Sequence, residues 1–136
     1  MVCIYCGVKT QVINSRPQKR QNHIWRRREC QGCRALFTTS EAPDFLKSLS
    51  VRRKKVLQPF SRDKLFLSVH DSLKHRKTAI NDATGLTDTI IGKLYPLIAS
   101  GSLDDREIVL VTVETLDAFE PAAATYYRAY HPVVIR

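Results

Sequence analysis

Two Cys-x-x-Cys pairs, Cys3/Cys6 and Cys30/Cys33, stand 23 residues apart near the start of a 136-residue chain. No other feature constrains the fold as much. Two thiolate pairs on short knuckles can surround one tetrahedral Zn²⁺, and the stretch between them then has to leave the metal and return as a hairpin. Gly7 follows the first knuckle and Gly32 interrupts the second, which lets backbone amides face the sulfurs. The other arrangements are two disulfides or four unrelated buried cysteines. Paired knuckles in an intracellular chain favour a single metal over disulfides. Four Cys ligands leave no open coordination position, so the metal folds the unit without activating water, contributing roughly 10–16 kcal/mol.

The surrounding pattern fits a stapled hairpin. Short β-type runs at residues 11–14, 23–28 and 35–39 alternate with turn-forming stretches such as SRPQKRQN, predicting a small antiparallel sheet. Below about 40 residues such a unit cannot compensate chain entropy by burial alone and needs a metal or disulfides.

Charge divides the chain in the same place. Residues 1–44 carry 8 basic and 3 acidic side chains, residues 45–60 carry 5 and none, and residues 61–136 carry 9 and 10, so the formal net charge of +9 lies wholly in the first 60 residues. Four thiolates on a dication lower it to about +7. Cysteines, the single tryptophan and the RRR run come early, whereas most aliphatic residues follow Val56. Two domains are expected, residues 1–44 and 45–136, joined near SEAPDF by an extended or turning connection. The chain is too short for a large catalytic barrel or a doubly wound enzyme. No apolar run approaches the roughly 18 residues of a membrane span and no signal peptide is visible, so a cytoplasmic protein without membrane partners is expected.

The second part opens with SVRRKKVLQPF, read as two short strands around a basic turn. Ser61 is placed to cap a helix bearing Leu65, Phe66, Val69 and Leu73. A second helix is expected from about Leu86 to Gly101, kinked or interrupted at Pro96. A third starts at Asp104 or Asp105; its Ile108, Val109, Leu110, Val111, Val113 and Leu116 lie nearly all round, predicting a buried helix. Pro121 suits the first position of a last helix with Tyr126, Tyr127 and Tyr130. The fold class is α+β: a small N-terminal β zinc ribbon, then a mainly α-helical domain with a short β-hairpin.

Two basic segments carry the candidate chemistry. Arg16, Lys19 and Arg20 fall on the expected turn, and Trp25, Arg26, Arg27 and Arg28 on the strand that follows, where alternation puts Arg26 and Arg28 on one face and Trp25 and Arg27 on the other. Arginine grips phosphates or guanine edges and an aromatic packs on sugar or base, so this surface suits a nucleic acid; a merely solvated charged face is the alternative. Arg52, Arg53, Lys54 and Lys55, with Lys64, Lys74, Arg76 and Lys77 downstream, suit a polyphosphate, further DNA contact or solvent equally well. No Gly-rich phosphate loop occurs. Nor is a catalytic set evident, because His23, His70, His75 and His131 are scattered and the cysteines are accounted for by zinc. A non-enzyme is expected.

CIYCGVKTQVINSRP followed by IWRRRECQGCRALFTTSE resembles the zinc ribbon of NrdR-type transcriptional repressors of ribonucleotide reductase genes, and VRRKKVLQPFSRDKL, SLKHRK and DDREI resemble their ATP-cone. The resemblance implies a homo-oligomeric, cytoplasmic, nucleoid-associated bacterial repressor. Its ribbon holds one Zn²⁺ through Cys3, Cys6, Cys30 and Cys33 and binds paired operator boxes, with Arg16, Arg26, Arg27 and Arg28 at the family's basic positions. Its cone takes ATP or dATP as allosteric ligands, with Val51, Arg52, Arg53 and Lys64 falling where strand and first helix meet nucleotide, Arg76 and Lys77 on the basic turn after that helix, and Tyr130 of the last helix in the same set. The chain differs from the family in having Lys54 and Lys55 at an Asp-Gly turn, and Pro96 inside a helix the family keeps continuous. Two other classes compete: a structural or RNA-binding ribbon protein, which predicts no nucleotide binding, and the detached allosteric cone of a ribonucleotide reductase, against which the N-terminal ribbon stands.

Overall fold

The structure is a computed structural model describing residues 1–133. The chain forms two compact units, Met1–Pro43 and Asp44–Arg136. The architecture is α+β.

In the first unit, strands β1 (Thr10–Gln18), β2 (His23–Cys30) and β3 (Leu36–Glu41) form an antiparallel sheet in the order β1-β2-β3. The turn-forming signal around SRPQKRQN is overridden over half its length. Ser15, Arg16, Pro17 and Gln18 pair with Arg26, Trp25, Ile24 and His23, so Arg16 is a strand residue and the turn is confined to Lys19–Gln21 and Asn22. Pro17 is tolerated because β1 is an edge strand and its missing N–H faces no partner. Asn22 closes the turn at φ 48°, in the left-handed region that asparagine tolerates. The register shifts between Val12 and Asn14, where a bulge bends β1. Burial here is slight: Cys3, Cys30 and Phe37 form the unit's core, with Ala35 packed against it.

The second unit begins with a short helix, α1 (Phe45–Ser48), capped by the Asp44 carboxylate, which accepts from Lys47 N–H. Strands β4 (Ser50–Arg53) and β5 (Val56–Pro59) form the expected hairpin, with Lys54 at φ 57° in the turn. A lysine there costs about 1–2 kcal/mol that glycine would avoid. Helix α2 (Arg62–Leu73) starts as expected, the Ser61 hydroxyl accepting from Lys64 N–H at 3.3 Å.

Helix α3 (Ala79–Leu94) begins seven residues before the expected Leu86. Asn81, Thr84 and Gly85 are weak helix formers, but Ala79, Ala83, Thr87 and Ile90 follow a helical period and are all buried, so packing overrides propensity. Regular α-helical bonding stops at Leu94 and Pro96 sits in a 3₁₀ turn, Tyr95–Leu97. Gly101 therefore ends no helix; at φ 71° it turns the chain into β6 (Ser102–Asp104), a strand too short to announce itself, which pairs parallel with β4.

Helix α4 (Asp105–Phe119) has a complete capping box. Asp104 accepts from the first turn, and Glu107 accepts from Asp104 N–H at 3.0 Å. Its expected burial all round is corrected: Thr112, Thr115 and Leu116 are buried, whereas Leu110 is 57% exposed. One face meets the bundle, and the branched residues elsewhere are only partly covered. Pro121 opens α5 (Pro121–Tyr130). Val69, Leu73, Ile90, Leu103 and Leu116 centre the core.

Candidate metal centre and basic surfaces

The knuckles hold the cysteines by local backbone bonds. Gly7 N–H donates to Cys3 O at 3.0 Å and Tyr5 N–H to Cys3 Sγ at 3.4 Å; the second knuckle answers with Gly32 and Cys33 N–H groups on Cys30 Sγ at 3.3 and 3.4 Å. Gly7 has φ 73°, the left-handed residue after its knuckle, but in the second knuckle Arg34 fills that place at φ 63°. Gly32 serves a different need, since a Cβ there would lie 3.1–3.2 Å from the Val8 side chain.

All four sulfurs lie within 4.8 Å of one another. Cys3 and Cys33 are 3.7 Å apart and Cys6 and Cys30 3.4 Å. A zinc ion with four bonds of about 2.3 Å needs sulfurs about 3.8 Å apart, so the quartet fits a tetrahedral Zn²⁺. Burial acts to raise the Cys30 thiol, but N–H groups of Cys33 and Gly32, helped by the Cys6 and Cys33 side chains, outweigh it and draw it down to about 6. Cys33 moves the other way: the Ala35 N–H lowers it, and the competing Cys6 thiol, burial and the other two cysteines push it up. A backbone that favours a thiolate is suited to a cation; with four thiolates bound, no position is open for catalysis.

The basic residues of the ribbon are sorted by pairing. Arg26 forms an ion pair with Glu41. Arg28 donates to Thr39 Oγ1 at 3.2 Å and Thr10 Oγ1 at 3.4 Å, and Arg27 to Thr38 Oγ1 at 3.3 Å. The Arg16 guanidinium lies 5.8 Å from the Trp25 ring centroid, and Arg16 pairs directly with Trp25 across the strands. Lys19 and Arg20 sit in the turn at the end of the hairpin, and Lys19 lines a cleft of about 470 Å³ with Pro17, His23 and Glu41.

In the second unit the seven residues expected to meet nucleotide are spread out. Val51 and Arg52 pair with Leu103 and Asp104 of β6, and Arg52 donates to Ser102 Oγ at 3.2 Å. Arg53 lies 3.6 Å from Asp105 and lines a cleft of about 880 Å³ with Lys54, Lys55, Val56, Arg106 and Pro132. Tyr130 is 68% exposed, packs on Tyr126 at 4.8 Å and lines a separate cleft of about 340 Å³ with Ser68, Asp71 and His131. Val51, Arg52, Lys64, Arg76 and Lys77 line neither cleft. Burial lowers His131, and the charge of Arg53 lowers it further. Burial also raises the Tyr127 hydroxyl against hydrogen bonds with Ser68 and Thr112. Arg76 bonds Asp82 at 2.8 Å, lies 3.6 Å from Glu120 and stacks over Phe119 at 5.0 Å.

The ribbon matches the family model for the N-terminal domain of NrdR-like transcriptional repressors over residues 1–41. Along most of its length the chain is 32% identical to the transcriptional repressor NrdR of Acetivibrio thermocellus, covering 86% of this chain and 80% of the relative. It is also 33% identical to that of Maricaulis maris, covering 98% and 85%. The chain belongs to the NrdR family of transcriptional repressors. As an NrdR it carries a zinc-ribbon domain, and the clustered cysteines are what that domain requires of a metal site.

The residues that restrain the arginines lie outside the candidate site residues marked by the sequence. Glu41, Thr39 and Thr10 hold Arg26 and Arg28, and Asp82 and Glu120 hold Arg76. Strand alternation in LFTTSE was a usable signal for the first group. The second depends on a loop and two helix ends meeting in space.

Proposed function

We propose that the protein is a zinc-dependent, ATP/dATP-responsive repressor that binds double-stranded operator DNA of ribonucleotide reductase genes as a homo-oligomer in the bacterial cytoplasm. The carrying observation is the quartet of sulfurs within 4.8 Å at one end of a strongly basic hairpin, in a chain of the NrdR family. Cys3, Cys6, Cys30 and Cys33 hold one structural Zn²⁺. Residues drawn from Arg16, Lys19, Arg20, Trp25, Arg26, Arg27 and Arg28 meet DNA. The second unit is an ATP-cone in which Val51, Arg52, Arg53, Lys64, Arg76, Lys77 and Tyr130 contribute to the nucleotide response, Arg76 only after exchanging carboxylate partners for phosphate.

A nucleotide changes DNA binding only through unequal affinity for two assembly states, and a tenfold change needs about 1.4 kcal/mol of differential binding. Two ribbons engaging two boxes at once raise affinity without new contacts per ribbon. The test is titration of dATP and ATP into zinc-loaded protein while its mass and its affinity for a duplex from a ribonucleotide reductase promoter are followed. dATP strengthening DNA binding relative to ATP, with a change in mass, supports the reading. Absence of binding by either nucleotide at millimolar concentration sinks the allosteric part and favours a ribbon protein without nucleotide response.

A further inference from the structure

The two faces of the ribbon sheet differ in what their arginines are free to do. Directly opposed residues in an antiparallel ladder share a face. Asn14, Arg27 and Thr38 form one row across the three strands, and Arg16, Trp25 and Ser40 form the next. The reverse face carries Arg26 and Arg28. There Arg26 is neutralised by Glu41, and Arg28 is tied to hydroxyls of both neighbouring strands directly opposite Phe37, which is 7% exposed. That face is engaged with the protein itself.

On the first face Arg27 reaches one neighbouring strand only, through the Thr38 hydroxyl at 3.3 Å. Among the described residues neither Arg16 nor Arg27 has a carboxylate partner. The acid nearest in register on that face, Glu29, lies one row toward the cysteines and is engaged by Arg34 at 3.5 Å and Gln11 at 3.4 Å. All six side chains of the two rows can donate hydrogen bonds, as phosphate oxygens demand, and no acidic group opposes them. The rows are about 7 Å apart along the strands and span about 10 Å across them. Trp25 adds a flat apolar surface suited to a deoxyribose, steadied by the Arg16 guanidinium at 5.8 Å.

We infer that duplex DNA docks on the face bearing Asn14, Arg16, Trp25, Arg27, Thr38 and Ser40, while Arg26 and Arg28 brace the sheet and do not meet the nucleic acid. This rests on the DNA-binding reading above and divides the arginine run into two roles. Trp25 is the chain's single tryptophan, so its emission reports the contact without a label.

The experiment uses zinc-loaded full chain, a duplex from a ribonucleotide reductase promoter and a random duplex of equal length, at several salt concentrations. Arg16→Ala and Arg27→Ala should each weaken binding about tenfold and lower the slope of log affinity against log salt by about one. Trp25 emission should shift on adding duplex. Arg26→Ala and Arg28→Gln should lower the melting temperature of the ribbon and leave the salt slope unchanged; cobalt(II) absorption of the thiolate site establishes that each variant is folded. An unchanged slope in Arg27→Ala with a reduced one in Arg26→Ala or Arg28→Gln would overturn the assignment, as would silent Trp25 emission during duplex binding. Wild-type protein that binds neither duplex would overturn the DNA-binding reading itself.

Discussion

Arg76 Nε donates to Asp82 Oδ2 at 2.8 Å, joining the turn after α2 to the first turn of α3. The same carboxylate accepts from the Thr78 hydroxyl at 2.6 Å, and Arg76 reaches Glu120 at 3.6 Å. A cation that a linear reading assigns to phosphate is thus held by two acids from elements that the chain order keeps apart.

This arrangement predicts a pH-dependent stability. The Thr78 hydroxyl, and then Arg76, hold the Asp82 carboxyl below its ordinary value, while Arg76 is itself raised by Asp82. A carboxyl depressed in the folded state contributes stability above its unfolded pKa of about 4 and loses it as pH falls through the folded value. Asp82→Asn should therefore melt below wild type at pH 7, and the two curves should converge as the pH drops below about 4. Parallel melting curves across that range would show that the pair contributes nothing.

Thr87 is fully buried in α3, and its hydroxyl has no hydrogen-bond partner among the described residues. A buried donor left unpaired costs roughly 1–3 kcal/mol. Thr87→Val keeps the branched shape and removes the hydroxyl, so urea unfolding should show a higher midpoint with an unchanged m-value. A lower midpoint would mean that the hydroxyl is satisfied.

The ribbon's core of Cys3, Cys30 and Phe37 is too small to hold three strands together. Chelation, or Cys30→Ser, should abolish stoichiometric zinc and the β-sheet signal in circular dichroism, and DNA binding with them. The helical signal should persist, because the second unit has its own core around Leu73, Ile90 and Leu116. A Cys30→Ser protein with full zinc content would contradict the ligand assignment.

Lys64 is exposed in the first turn of α2, and its side chain has no hydrogen bond or ion pair among the described residues. If it meets nucleotide phosphate, Lys64→Ala should remove the dATP response while zinc content and melting temperature stay at wild-type values. A variant with an intact dATP response, followed by its change in DNA affinity, would exclude this residue from the switch.

What could be read directly from the sequence was local. Cysteine spacing specifies a metal-sized cluster because each knuckle is closed by bonds within five residues. Ser61, Asp104 and Pro121 mark helix starts because the groups they satisfy, or spare, lie in the adjoining turn. Alternation along β2 also separated Arg26 and Arg28 from Trp25 and Arg27 without any knowledge of the neighbouring strands. Tertiary structure decided the remainder. β1 extends through Pro17 because Trp25 and Ile24 supply partners across the hairpin, and α3 reaches back to Ala79 because a buried face outweighs weak propensity. Which arginines are free is decided by Glu41, Thr39, Asp82 and Glu120. Their positions relative to those cations depend on strand register and helix packing, and a single sequence does not encode either at the level of neighbouring residues.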